Sequence, residues 1–207
     1  HAKNTSQKVR AVLKNKGNSG IPTTSYPPYG YLKSPEDNTK WIVDEPAAKI
    51  VRKIFDLCIQ GYGTTQIARI LKEENIMTPT EYRQSIGLKT NTELQEVKHY
   101  WNNRTIGFIL DRQEYIGDTV NFRTTKRSFK DHTKVFLPKE QWKIFKNTHE
   151  PIIDEETWNT VQRIRSNKRR TTKTGKVSIF SGHLFCKDCG AKLYYCTSNN
   201  FTPTKDF

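Results

Sequence analysis

Residues 44–60 leave the chain little choice of local structure. Ala47, Ile50, Val51, Ile54, Phe55 and Cys58 recur at the spacing that lines one face of an α-helix. Asp44 can cap this helix, Glu45 and Pro46 suit its first turn, and Gly61 and Gly63 end it. A helix with one apolar face needs packing partners to be stable. Two further helices follow. Thr64 can cap one whose stripe is Ile67, Ile70 and Leu71, closed by Asn75 and the Thr78-Pro79 pair. The other starts near Asn102, with Ile106, Ile109 and Leu110 on one face and Asn103, Arg104, Gly107 and Phe108 pointing elsewhere. Residues 80–100, between them, are polar and read as a long irregular loop, uncommon in a compact domain unless it serves a purpose.

The flanking segments read differently. Residues 1–20 start helical, with a weak Val9, Val12 and Leu13 face, and then dissolve at Gly17, Asn18, Ser19 and Gly20. Residues 21–40 carry Pro27-Pro28-Tyr29-Gly30-Tyr31 and favour an extended, turned path. Tyr115-Ile116-Gly117 reads as the start of a strand. Residues 118–148 are β-like around a basic, turn-rich centre, with Trp142 and Ile144 alternating. Asp154 is the cap of a helix over about 154–167, striped by Trp158, Val161 and Ile164. Residues 166–176 form a basic linker, and short strands surround a cysteine pair after it. The expected fold is α+β: a helical, helix-turn-helix-like domain with a small β-region, followed by a partial zinc ribbon.

Charge narrows the partners. The net charge is +14, with aromatic residues at 11%, enough for a real core. Residues 1–20 hold five basic and no acidic side chains, whereas residues 21–110 hold 11 and 10. A near-neutral body with basic flanks suits a polyanion such as nucleic acid, although a solubilising surface gives the same balance. No apolar run is long enough for a membrane helix, and four cysteines are too few for a disulfide framework. A cytoplasmic protein is expected.

Three short helices, the third with polar residues at its start, match a helix-turn-helix whose last helix enters the major groove. Arg can grip guanine and Asn adenine with two hydrogen bonds each. An ordinary helical packing unit with a polar face fits the same pattern. Residues 8–20 could lie along a minor groove as a flexible basic strand, or be a disordered terminus. Cys186-Lys187-Asp188-Cys189-Gly190 is half of a zinc-ribbon pattern, lacking a second pair. Cys196 stands alone, and His183 lies at an unusual position for such a site. His99, His132, His149 and His183 have no clear carboxylate or nucleophile partner in the sequence, and no catalytic constellation is apparent.

Several longer segments occur in a telling order: PPYGY at 27–31, WIVDEPAAKIVRKIF at 41–55, GYGTTQIARIL at 61–71, WNNRTIGFIL at 101–110, YIGD at 115–118, HEPIIDEETW at 149–158 and FSGHLFCKDCG at 180–190. Together they resemble the large serine recombinases of phages and mobile elements over essentially the whole chain. That resemblance implies the end of a long helix and a basic arm at 1–20, a recombinase DNA-binding domain at 21–168, a linker at 169–178 and a truncated zinc ribbon at 179–207. It implies that the serine-bearing catalytic domain is absent, so no catalytic residue is assigned and the segment is not itself an enzyme. The second cysteine pair would lie past Phe207, leaving Cys186 and Cys189 as half of a zinc site. The implied partner is double-stranded DNA at an attachment half-site, with a general RNA- or DNA-binding module as the alternative. The parent would form dimers and synaptic tetramers, and this segment a monomer. On the matching positions, Lys14, Lys16 and Asn18 fall in the arm, and Asn102, Asn103, Arg104 and Thr105 open the recognition helix. Arg83 and Lys89 in the long loop, and Arg123, Lys126 and Arg127 in the β-region, are candidates for phosphate contacts.

Overall fold

A computed structural model describes residues 2–90, 97–126, 131, 133–166, 184–190 and 193. The chain divides into two compact units, residues 1–162 and 163–207. In the first, α2 (Glu45–Ile59), α3 (Thr64–Glu73) and α5 (Asn103–Leu110) build the core. Val51, Ile54 and Phe55 of α2, Ile67 and Leu71 of α3, and Ile106 and Leu110 of α5 are fully buried. Each such side chain removed from water contributes on the order of 1.5–3 kcal/mol. The α2 stripe is as expected, except that Ala48 is buried and Ile50 is only partly covered.

The helix starts differ in detail. Asp44 occupies the N-cap position of α2, yet its carboxylate accepts from the Tyr82 hydroxyl at 3.0 Å rather than capping. Gly63, not Thr64, precedes α3, and the Gln66 side chain accepts from the Gly63 N–H at 2.9 Å. Residues 80–100 are not wholly irregular. A further helix, α4 (Pro79–Ser85), begins with a capping box in which the Thr78 N–H donates to Glu81 at 2.7 Å and the Glu81 N–H donates back to Thr78 at 3.4 Å. Glu81 also meets the His99 ring Nδ1 at 3.3 Å, so His99 does have a carboxylate neighbour.

Residues 21–40 contribute a strand to a hairpin that their proline-rich pattern does not suggest: β1 (Tyr31–Lys33) pairs antiparallel with β2 (Trp41–Val43). The Tyr31 hydroxyl donates to the Glu150 carbonyl at 2.8 Å, and the Tyr115 hydroxyl to the Tyr29 carbonyl at 2.8 Å. Residues 113–116 form a 3-10 turn instead of a strand. Gly117, at φ +91°, ends it, and a Cβ there would lie 2.7 Å from the His149 carbonyl oxygen. The β-region is a nested pair of hairpins. β3 (Thr119–Asn121) pairs with β6 (Lys143–Phe145), and β4 (Thr124–Lys126) with β5 (Lys134–Phe136).

The N-terminal segment meets one expectation and corrects another. Its helix starts and stops as the sequence suggests, as α1 (Ala2–Asn18), but residues 8–18 belong to that helix and are not a flexible strand. Gly17 is buried against the Phe122 ring, and a Cβ at residue 17 would collide with that ring. Asn121 donates to the carbonyls of Gly17 at 3.1 Å and Ile21 at 3.0 Å, and accepts from the Thr23 N–H and hydroxyl at 3.2 Å. The end of α1 is thereby fixed to β3.

Asp154 caps α6 (Glu155–Ser166), accepting from the Thr157 N–H at 2.7 Å, and Val161 is buried. The Gln162 amide donates to the Leu110 carbonyl at 2.7 Å, covering the end of α5. In the second unit, the Cys186 turn closes with the Gly190 N–H donating to the Cys186 carbonyl at 2.9 Å, and the Leu193 N–H donates to the Leu184 carbonyl at 3.0 Å. The linker at 169–178, His132, His183 and Cys196 lie outside the described residues.

Candidate nucleic-acid interface

The order of burial along α5 decides what it can present. Ile106, Ile109 and Leu110 face the core, while Asn103, Arg104 and Phe108 are exposed and Thr105 and Gly107 are half-buried. The start of α5 is held from both sides. Asn102 accepts from the Arg104 N–H at 2.8 Å, which satisfies one of the orphan donors of the first turn. Just before it, the Trp101 indole donates to the Ile76 carbonyl at 2.9 Å. Asn102 is therefore a capping residue, and Asn103 and Arg104 are the free polar heads beside it.

Next to these lies a groove of about 350 Å³ between α3 and residues 100–103. Arg69 and Lys72 line it, with Tyr100 opposite. Lys72 Nζ sits 5.9 Å from the Tyr100 ring centroid, and Arg69 Nε lies 3.7 Å from Glu73 with both side chains exposed. An exposed pair at that distance contributes little and yields readily to a stronger anion. Neither Arg69 nor Lys72 stands out in the sequence. The available signal is their i, i+3 spacing on the polar side of a helix whose apolar stripe is plain.

Other expected contacts have different surroundings. Arg83 is on α4, not in a loop. Its guanidinium donates to the Pro27 carbonyl at 2.5 Å and lies 5.5 Å from the Tyr26 ring centroid. Desolvation by burial pulls its pKa down. Arg123 pairs with the buried Glu114 at 2.5 Å and covers Trp142 at 5.0 Å from the ring centroid. Glu114, only 3% exposed, also meets Arg112 at 3.4 Å. Both Arg83 and Arg123 are thus engaged within the first unit. Lys14, Lys16 and Asn18 are exposed on the last turns of α1. Lys89 is exposed after α4, and Lys126 is exposed on β4. Arg127 lies outside the described residues.

In the second unit, backbone N–H groups of Cys189 and Asp188 are directed at the Cys186 sulfur and hold its thiol below the ordinary range. That is how a turn stabilises a thiolate suited to metal coordination. Among the described residues no group of three or more His, Cys, Asp or Glu side chains gathers for a metal. No helix among them is long and apolar enough to cross a membrane.

A small α+β body with a basic groove beside an exposed polar helix face is the class of domain these features define. A model of the Recombinase family matches residues 45–168, more than half of the chain, and the chain belongs to that family. Among curated proteins it is similar to the uncharacterized protein YefB of Bacillus subtilis (strain 168), 27% identical over 95 residues. That match spans 46% of this chain and 32% of YefB. Two solved structures are also similar, each over 89% of this chain with a TM-score of 0.49. One is described as the crystal structure of an LSR–DNA complex, at 21% identity and 47% of that chain. The other comes from work on sequence requirements of the Listeria innocua prophage attP site, at 23% identity and 62% of that chain. The chain therefore spans about a third of the curated relative and between about half and three-fifths of the two solved chains.

Proposed function

We propose that this chain is the DNA-binding region of a large serine recombinase, and that it binds one half of a recombination site in duplex DNA. The observation that carries this reading is the exposed Asn103-Arg104 pair on a helix buried along its other face, next to the Arg69 and Lys72 groove. Arg104 would read a guanine edge in the major groove and Asn103 an adenine edge. Arg69 and Lys72 would hold the neighbouring phosphates, which fix register but carry no sequence information. Lys14 and Lys16 on α1, with Lys89 and Lys126, are further cations for the backbone. Arg83 and Arg123 are left out, because their guanidinium groups already have partners inside the fold.

Strand cleavage would then belong to a serine-bearing domain outside these residues, in a parent that integrates or excises mobile DNA. Dimers on each site and tetramers in synapsis would be properties of that parent, with this segment monomeric. Cys186 and Cys189 would supply two of the four donors of a structural zinc ion. The N–H groups aimed at Cys186 fit that role, and the ion would tie the turn to the rest of a ribbon.

The test is selection of bound sequences from a random duplex library at near-physiological salt. Enrichment of one asymmetric motif of about ten base pairs or more supports a half-site reader. Retention without enrichment would instead favour a general nucleic-acid module. Arg104→Ala should weaken binding to the selected motif by about 1–3 kcal/mol and leave scrambled duplex unchanged. Equal losses on both would remove Arg104 from base reading.

A further inference from the structure

We propose that Phe108 is a specificity residue that packs on the 5-methyl group of a thymine in the half-site. The inference rests on the major-groove reading of α5. Phe108 is 56% exposed on a helix otherwise sorted cleanly into a buried face and a polar one. Its apolar neighbours Ile106, Ile109 and Leu110 are buried to 4% or less, so the core was within reach of this helix and the ring is turned away from it.

Single exposed apolar side chains are common, and exposure alone assigns nothing. Position does. Phe108 follows Arg104 by one helical turn on the same face, and helix side chains lean toward the N-terminus. The ring therefore covers the surface beside the Arg104 stem. Gly107, next to it, is half-buried and adds no side chain of its own to that face. An asparagine, an arginine and a phenylalanine thus share the exposed side of the helix.

A major groove about 12 Å wide admits such a helix, and thymine offers its floor an apolar feature, the C5-methyl. The charge on this side of the molecule agrees with a duplex occupant, since Arg104, Arg69 and Lys72 all border the face. One helical turn rises about 5.4 Å. With α5 aligned along the groove, the pair that Phe108 reads lies about one or two base pairs from the one Arg104 reads.

The test uses the 207-residue chain and the duplex recovered by selection. Each thymine in turn is replaced by deoxyuridine, which removes only the methyl. One replacement should weaken wild-type binding about fourfold, the worth of one buried methyl-sized group. Phe108→Ala should bind the thymine and deoxyuridine duplexes equally, with its melting temperature unchanged because the ring lies at the surface. Phe108→Leu should restore part of the difference. Retention of the full methyl dependence in Phe108→Ala overturns the inference. So does a wild type that prefers the motif to scrambled duplex yet responds to no methyl, and in that case half-site reading survives. A wild type that binds motif and scrambled duplex equally overturns both.

Discussion

Asn121 has hydrogen-bond partners for both ends of its side-chain amide within the fold, and it is 2% exposed. Asn121→Leu would leave two carbonyls, one backbone N–H and one hydroxyl without that partner. At about 1–3 kcal/mol for each buried unsatisfied group, the unfolding free energy should fall by roughly 3 kcal/mol or more. A urea titration reads this directly, and a loss below about 0.5 kcal/mol, the usual size for a surface change, would mean the clamp is not needed. His149 makes a different residue-level prediction. Burial, chiefly desolvation, holds its imidazole below the ordinary value, with the ring edge-on to Tyr31 at 4.8 Å between centroids. Its Nε2 faces the Glu114 carbonyl at 2.8 Å and so must donate. The folded state resists protonation, while the unfolded chain takes up the proton near pH 6.5. Stability present above that pH is lost as pH falls through the folded-state value. The urea midpoint should drop between pH 7.5 and 5.5, and His149→Gln should flatten that slope; equal slopes would refute the assignment. Residue type alone could not reveal any of this. An arginine that faces phosphate and one that faces Glu114 look alike in a sequence.

At the scale of elements, periodicity carries α2, α3, α5 and α6, because each has an apolar stripe that the core requires. Where no stripe exists, periodicity says nothing. α4 has no fully buried residue and is defined by its capping box. The strands are three residues long, too short for alternation to stand out, and β1 follows directly on a proline-rich stretch. Gly17 reads as a stop for α1 because glycine is a weak helix former, yet that glycine is where Phe122 packs. The exposed heads of α5 are legible from the same periodicity, whereas Asn102's capping role depends on where the helix begins. Asn102→Ala should cost about 1 kcal/mol of stability, and Asn102→Asp should preserve it, as thermal unfolding will show. If the alanine variant is as stable as wild type, the cap is not what positions Arg104.

For the whole molecule, the ordered motifs point to the right family, and the α+β class follows from helices that pack and hairpins that pair. Charge distribution suggests basic flanks, and the cations of residues 8–16, open in the sequence to a flexible strand or a disordered terminus, ride on a docked helix. A salt titration tests whether those cations meet phosphate. Removing residues 1–20 would also remove the packing of Gly17, so the clean variant replaces Lys8, Arg10, Lys14 and Lys16 by Gln. The slope of log affinity against log salt should become shallower by about 0.9 for each phosphate that these cations no longer neutralise. An unchanged slope would place α1 off the DNA. The anchoring of α1 at its C-terminal end has a mechanical consequence. Seventeen residues of helix make a lever about 25 Å long, pivoted where Asn121 and Phe122 grip it. A 10° error at the pivot would swing the far end by about 4 Å, more than one base-pair rise at 3.4 Å. Whatever the first turn of α1 meets is therefore aimed by two side chains on β3 and its end, far along the chain from the helix they hold.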